Sequence, residues 1–227
     1  MTPPPCKSSL QRALLLAFLC GQRTRVRWHG QLAEDPRYLL DALLALGARL
    51  PRRGEDWLEI ESDGFPRPAR AELELGQNAT ALRCLCAIGG CLGGDFRFSG
   101  LTELRRRPLA PLPALLERSA GARFEFLGSS GRVPFRLLAT GIRGPLRLAL
   151  DLGQGSQAAS GLLMAAAASG HGGEFELEGN PGYLDLTRQY LERFACRVEV
   201  YADTPERQRW IVPASGLRSP GELTIPA

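Results

Sequence analysis

The sequence contains very little lysine and histidine. Of its 28 basic residues, 27 are Arg and only Lys7 is Lys, and there are two His in 227 residues. Few His, and no C-x-x-C pair among the six Cys, argue against a zinc site. No apolar stretch approaches the roughly 20 residues that span a bilayer, so neither a membrane segment nor a membrane partner is expected.

The rest of the composition is that of a globular protein. Hydrophobic residues make up 44% and charged residues 23%, which argues against disorder. A net charge of +4 is too small to indicate a nucleic-acid partner. The short apolar stretch 13–20 lacks a cleavage site and is interpreted as a buried helix rather than a signal peptide. We therefore expect a cytoplasmic protein whose thiols are reduced and buried.

An arginine recurs at intervals of 74 residues after an amphipathic helical pattern. In the second and third copies it leads into alternating apolar and polar residues, which are typical of a strand. The three arginines are Arg49, Arg123 and Arg197, and the helical patterns cover residues 35–46, 108–119 and 183–194. A second set of helical segments is apolar on nearly every face and is predicted to be buried. These segments cover residues 8–20, 79–89 and 157–168.

Strand-like runs lie between the helical patterns. They cover residues 23–28, 57–61, 71–75, 96–99, 135–138, 146–150, 174–178 and 209–212. The sequence therefore predicts an α/β (α+β) fold in which helix, strand, helix and strands are repeated three times. We expect residues 1–227 to form a single domain with repeats at about 1–75, 76–150 and 151–227.

Each apolar helical segment opens with polar residues. Ser8, Thr80 and Ser156 mark the three openings, and taken singly each would be an ordinary N-cap. If the repeats are related by threefold pseudosymmetry, the three helix N-termini face one end of the domain, where free N–H groups and helix dipoles favour anions. Lys7 and Arg12 add full positive charges there. The pattern therefore favours an anion-binding site over three separate caps.

Four motifs resemble those of the 5-enolpyruvylshikimate-3-phosphate synthases (3-phosphoshikimate 1-carboxyvinyltransferases). Residues 7–16, KSSLQRALLL, resemble the opening signature of that family, and residues 75–83, LGQNATALR, resemble its L-G-N-x-G-T-x-x-R loop. Residues 105–109, RRRPL, are similar to its R-E-R-P-M segment. Residues 155–165, GSQAASGLLMA, are similar to its S-S-Q-x-x-x-A-L-L-M-A stretch. The motifs are collinear over essentially the whole chain.

The resemblance implies an enolpyruvyl transferase-like fold, an inside-out α/β barrel of three βαβαββ units with buried helices. It implies transfer of an enolpyruvyl group from phosphoenolpyruvate to the 5-hydroxyl of shikimate 3-phosphate, with release of phosphate. This is a step of chorismate and aromatic amino-acid biosynthesis. Neither a metal nor an organic cofactor is implied.

The resemblance also assigns ligand-binding residues by position. It assigns shikimate 3-phosphate to Lys7, Ser8, Arg12, Ser156, Gln157, Asn180 and Tyr183. It assigns phosphoenolpyruvate to Lys7, Ala79, Arg107 and Gln157, of which Lys7 and Gln157 would be nearest to the chemistry. Asp35 matches a family Asp near the site. The sequence departs from the family pattern at Gln77 (Asn in the family), Ala79 (Gly), Gly155 (Ser) and Asn180 (Ser), which bears on affinity more than on substrate class.

The chain stops about where the resemblance places the crossover to a second domain. In the family that domain supplies the proton-transferring Asp and Glu. We therefore expect the N-terminal, shikimate-phosphate-binding half of such an enzyme, with a separate C-terminal chain as one conceivable partner, and leave activity of the isolated chain open.

Several alternatives stay open. One is a non-catalytic anion-binding fragment or a decayed copy. Another is a UDP-N-acetylglucosamine enolpyruvyl transferase-like protein, although that family has Asn where Ser8 follows the lysine. The weakest is an RNA-end-processing enzyme on a similar repeat fold, which would need a basic patch that the scattered arginines do not provide.

Overall fold

The computed structural model describes residues 5–66 and 69–226. The helices are α1 (Lys7–Leu19), α2 (Glu34–Ala45), α3 (Ala79–Leu92), α4 (Thr102–Arg106), α5 (Leu112–Ala120), α6 (Ser156–Ser169) and α7 (Tyr183–Arg193). The strands are β1 (Thr24–Arg27), β2 (Trp57–Ile60), β3 (Arg70–Glu74), β4 (Gly94–Ser99), β5 (Arg123–Phe126), β6 (Phe135–Ala139), β7 (Leu146–Asp151), β8 (Gly173–Glu178), β9 (Glu199–Thr204), β10 (Arg207–Val212) and β11 (Glu222–Thr224). Helices and strands fall in the predicted order, which confirms the mixed α/β class.

The strands of the described ranges form three sheets with related topology. Two of them have the orders β3-β4-β6-β5 and β7-β8-β10-β9. In both, the first pair is parallel and connected through a buried helix, and the remaining pairs are antiparallel. In the third sheet, β1 pairs with β2 antiparallel and with β11 parallel. β11 therefore occupies the position that β3 and β7 occupy in the other sheets.

The three predicted apolar helices form the centre of the core. Helices α1, α3 and α6 are buried along most of their length, as predicted. α3 and α6 pack closely because α6 has a glycine at their contact. A Cβ on Gly161 would lie 2.8 Å from the Cα of Cys84 and 2.8 Å from the Cβ of Ala87. The first turns of α3 and α6 are consequently held close to each other.

The amphipathic helices cover this centre with one face each. α2 and α7 lie within one residue of their predicted bounds at each end. α5, predicted over residues 108–119, begins instead at Leu112. Pro111 and Pro113 explain the difference, because proline lacks the N–H that later helical positions donate and is tolerated only in the first turn.

Among the described residues, no helix has both the length and the apolarity to cross a membrane. The six cysteines all carry free thiols, and five of them are buried as expected. Burial raises the pKa of the Cys84 thiol to about 11. Cys6 departs from the expectation, because it lies half-exposed at the N-cap of α1, where the chain enters the helix.

Candidate functional site

The N-termini of α1, α2 and α3 meet. Lys7 is the first residue of α1, and its ammonium group is ion-paired with the carboxylate of Asp35 in the first turn of α2. The backbone carbonyl of Asp35 accepts a hydrogen bond from Nδ2 of Asn78 at 2.8 Å. Asn78 caps α3 by accepting from the N–H of Ala81 at 2.9 Å. The Lys7–Asp35 ion pair therefore joins the start of α1 to that of α2, and the Asn78 side chain joins the start of α2 to that of α3.

The side chain of Gln157 joins α6 to the same place. Gln157 lies in the first turn of α6, and its Nε2 donates to Oγ1 of Thr80 in α3 at 2.9 Å. Its Oε1 accepts from Nη1 of Arg83 at 3.0 Å. Both ends of the amide are thus held by α3, which fixes the orientation of a side chain that the family resemblance assigns to both substrates.

The guanidinium group of Arg83, which holds this amide, has a second guanidinium group as a neighbour. Arg83 donates from Nη2 to the carbonyl of Pro108 at 2.9 Å, which brings the 107–108 segment to the site. Burial lowers the pKa of Arg83, and the positive charge of the neighbouring Arg107 lowers it further. Arg107 is exposed, and within the described ranges its side chain has neither an ion pair nor a hydrogen bond. A pair of close guanidinium groups is stabilised by an anion.

Arg12 is buried and forms several hydrogen bonds with other parts of the protein, which the sequence does not predict. Its side chain is 3% exposed, and Nε donates to Oγ1 of Thr187 at 2.7 Å. Nη2 donates to Oγ of Ser160 and to the carbonyl of Tyr183, both at 3.0 Å, and Nη1 donates to the carbonyl of Ser8 at 3.0 Å. Burial lowers the pKa of this group. Arg12 therefore joins α1 to α6 and α7, and its role as a ligand stays a prediction.

Four of the remaining assigned residues lie at helix starts, and the fifth, Asn180, lies in the loop before α7. Ser156 and Tyr183 are the first residues of α6 and α7, and the Tyr183 side chain is 63% exposed. Ala79 is the buried first residue of α3. Asn180 is exposed, and its Oδ1 accepts from the N–H of Gly182 at 2.9 Å. Ser8 is half-buried in the first turn of α1.

Three of the assigned residues, Lys7, Arg12 and Gln157, connect helices of the candidate site through their side-chain contacts. A contact series runs from Lys7 through Asp35 to Asn78, and from Thr80 through Gln157 to Arg83. Its two parts are joined by the start of α3, which carries both Asn78 and Thr80. Asn180 stands apart, because its contact is with its own loop. Sequence reasoning missed Ser160 and Thr187, the side-chain partners of Arg12. A signal was available, since Ser160 is a polar residue inside an otherwise apolar helix. The described residues hold no group of three or more His, Cys, Asp or Glu arranged to bind a metal.

Comparison with solved structures places this fold in a known class. The chain superposes on EPSP synthase from Acinetobacter baumannii with a TM-score of 0.81 and 21% identity, covering 100% of this chain and 49% of that one. It also superposes on the enolpyruvyl transferase NikO from Streptomyces tendae with a TM-score of 0.63 and 17% identity, covering 97% and 50% of the two chains. The fold, with its converging helix N-termini, is that of the enolpyruvyl transferases.

Sequence comparison gives the family. A family model described as EPSP synthase (3-phosphoshikimate 1-carboxyvinyltransferase) matches residues 1–225. The chain is 34% identical over 235 residues to the 3-phosphoshikimate 1-carboxyvinyltransferase of Cupriavidus necator, covering 98% of this chain and 51% of that protein. It is 32% identical over 229 residues to the one from Rhizobium leguminosarum bv. trifolii, covering 99% and 52%. The chain belongs to the EPSP synthase family and spans about half the length of the curated relatives it matches.

Proposed function

We propose that this chain is the substrate-binding half of an enzyme that transfers an enolpyruvyl group from phosphoenolpyruvate to shikimate 3-phosphate. The contact series from Lys7 to Arg83 carries the proposal, because it holds the starts of α1, α2, α3 and α6 together. Helix N-termini attract anions, and both substrates are anions. Family membership supports this choice of anions.

Lys7, Arg107 and Gln157 each have a distinct part in this proposal. The Lys7 ammonium is a compact charge that can face both substrates once an anion replaces Asp35 as its partner. The exposed Arg107 offers two parallel N–H groups to the carboxylate or phosphate of phosphoenolpyruvate. The Gln157 amide, held by Thr80 and Arg83, fixes the two substrates relative to each other.

The described residues bind and orient more readily than they transfer protons. Enolpyruvyl transfer needs an acid and a base at the reacting carbons, and no carboxylate other than Asp35 takes part in the contact series. In this proposal the acid–base groups come from a second domain that closes over the substrates. The chain alone would then bind both substrates and turn them over slowly or not at all.

Calorimetry on the 227-residue chain tests the proposal. We expect heat with shikimate 3-phosphate and none with UDP-N-acetylglucosamine. Lys7→Arg should weaken binding of shikimate 3-phosphate about tenfold, because the bulkier guanidinium cannot occupy the place of an ammonium. Arg143→Lys, at an exposed loop position, is the matched control and should leave the affinity unchanged.

Three results would contradict parts of this reading. Unchanged affinity of Lys7→Arg removes Lys7 from the site. Heat with the nucleotide sugar alone favours the UDP-N-acetylglucosamine enolpyruvyl transferase alternative. Binding of shikimate 3-phosphate without product, even when a family C-terminal domain is supplied, favours a non-catalytic anion-binding role.

A further inference from the structure

A cavity lies beside the predicted substrate site and shares Arg83 with it. It has a volume of about 210 Å³ and is enclosed by α5, the start of α6 and the end of β7. All nine residues assigned to the two substrates are described, and none of them lines it. Its apolar walls include Leu109, Leu112, Leu115, Ala158 and Leu162.

The size and the apolar lining of the cavity fit a ligand with an apolar six-membered ring. Apolar cavities of about 150 Å³ are known to take up benzene, so about 210 Å³ accommodates a six-membered ring with a short substituent. Most of the lining side chains are leucine, alanine or proline, which offer no hydrogen bonds to a polar ligand. A sugar or a nucleotide would leave its polar groups unpaired there.

The charged side chains that line the cavity favour a ligand with a negatively charged carboxylate. Arg83 and Arg118 both line the cavity, against one carboxylate, that of Asp151. The Asp151 Oδ1 accepts from the N–H of Gly153 at 2.8 Å, so it is engaged in capping the turn that precedes α6. Arg118 is exposed in the last turn of α5, and no described residue forms an ion pair with it. The rim therefore carries a net positive charge.

We propose that this cavity binds a small aromatic carboxylate, with the ring among the leucines and the carboxylate between Arg83 and Arg118. The bound carboxylate competes with Oε1 of Gln157 for the Arg83 guanidinium. Occupancy of the cavity therefore loosens the amide that both substrates are predicted to contact. This coupling, unlike the binding itself, rests on the proposed function.

Benzoate is the probe. Titration of the unmodified chain, followed by backbone amide chemical shifts, should give a Kd of about 1 mM, as expected for nine heavy atoms. The shifts should centre on α5 and on residues 158–162 of α6. Benzyl alcohol, with the same ring and no charge, should bind about fivefold more weakly. Shifts confined to the start of α1, or no shifts at about 20 mM benzoate, overturn the proposal.

Matched variants locate the binding. Ala158→Leu fills the cavity and should weaken benzoate binding at least about tenfold, whereas Ala168→Leu, a half-buried position outside it on the same helix, should not. Arg118→Gln should weaken binding about fivefold, and Arg143→Gln should leave it unchanged. Equal affinity of Ala158→Leu and the unmodified chain overturns the proposal. So does loss of binding in Lys7→Gln, which would place benzoate in the substrate site.

The coupling has its own readout. Saturating benzoate should weaken binding of shikimate 3-phosphate about fivefold, and shikimate 3-phosphate should weaken benzoate by the same factor. If benzoate binds in the cavity without changing the affinity for shikimate 3-phosphate, the proposed coupling is wrong, whereas the proposed benzoate site still holds. Failure of shikimate 3-phosphate to bind at all contradicts the proposed function alone, because benzoate binding is measured without it.

Discussion

The sequence motif identifies Arg12 as a candidate functional residue but does not predict which residues it contacts. The motif marks it as a charge near a helix start, yet the fold buries it at 3% exposure among protein acceptors. Its partners Ser160 and Thr187 lie 148 and 175 positions away in the chain. No local pattern can predict contacts of that separation, because they depend on how α1, α6 and α7 pack.

Replacing Arg12 should therefore affect stability. Arg12→Lys keeps the charge but loses the fork that reaches α6 and α7 together, which leaves the Thr187 and Ser160 hydroxyl groups without that donor. We expect the free energy of unfolding to fall by about 2 kcal/mol in urea denaturation. Arg143→Lys is the exposed control and should stay within about 0.5 kcal/mol of the unmodified chain. Equal stability of the two variants would show that the buried hydrogen bonds contribute little.

Cys6 differs from the other five cysteines in reactivity. Burial acts to raise its pKa, but hydrogen bonds from Ser9 and Ser8 at the start of α1 outweigh this, and the pKa of the thiol is lowered. Burial raises the pKa of Cys84 to about 11 and that of Cys91 to about 12. A lower pKa means a larger thiolate fraction at neutral pH, and the thiolate is the reactive form.

Alkylation with iodoacetamide should thus modify Cys6 first. We expect a single adduct on the native chain at pH 7, mapped by mass spectrometry to Cys6, with a rate that levels off below the ordinary thiol pKa of about 8.5. The Cys6→Ser variant should remain unmodified on the same timescale. A first adduct on Cys84 or Cys91 would mean that α3 opens more readily than its burial indicates.

The helices and strands that the sequence predicts correctly are those with long periodic patterns. The buried helices α1, α3 and α6 combine apolar faces with polar first turns, and their bounds follow from that contrast. α4 was not predicted, because it has five residues and only Leu104 is buried. β11 was missed as well, since Glu222–Thr224 is too short for an alternating pattern and is a strand only through its pairing with β1.

The contact between α3 and α6 depends on a residue with no side chain. Gly161→Ala would ordinarily stabilise a helix by about 1 kcal/mol, since alanine favours it. Here the new Cβ would meet backbone atoms of Cys84, its Cα at 2.8 Å and its O at 2.9 Å, which cannot rotate away. We expect a net loss of about 2 kcal/mol in the free energy of unfolding.

Gly90→Ala in α3 is the matched comparison. Its Cβ would meet the Cδ1 of Leu116 at 2.8 Å, the end of a flexible side chain that can change rotamer. The variant should therefore be close to neutral in the same denaturation experiment. If Gly161→Ala were as stable as Gly90→Ala, close approach of the two helix backbones would not be required.

The three sheets that accompany the buried helices have related strand orders. Two of them run in the same strand order, and the third sheet, which contains β1 and β2, reaches a related order through β11. The 74-residue spacing of Arg49, Arg123 and Arg197 indicates repeats but not how a repeat is completed, because that requires pairing between residues at opposite ends of the numbering. The division of the chain into three repeats stays a prediction.

Pairing through β11 connects the stability of the molecule to its candidate site. Ile225 is fully buried and its N–H donates to the carbonyl of Arg27 at 2.8 Å. The next residue, Pro226, accepts from the N–H of Cys6 at 2.9 Å, directly before Lys7. The end of the described chain therefore fixes the place where α1 begins.

Ile225→Ala should consequently lower both stability and ligand affinity. Removing buried methylene and methyl groups is expected to reduce the free energy of unfolding by about 3 kcal/mol, measured in urea. At a temperature where the variant is still folded, its affinity for shikimate 3-phosphate should fall about threefold, because Lys7 then starts from a less defined position. Val200→Ala, at a position 41% exposed, should change neither quantity. Loss of stability with an unchanged affinity would mean that the ion pair with Asp35, rather than β11, sets the position of Lys7.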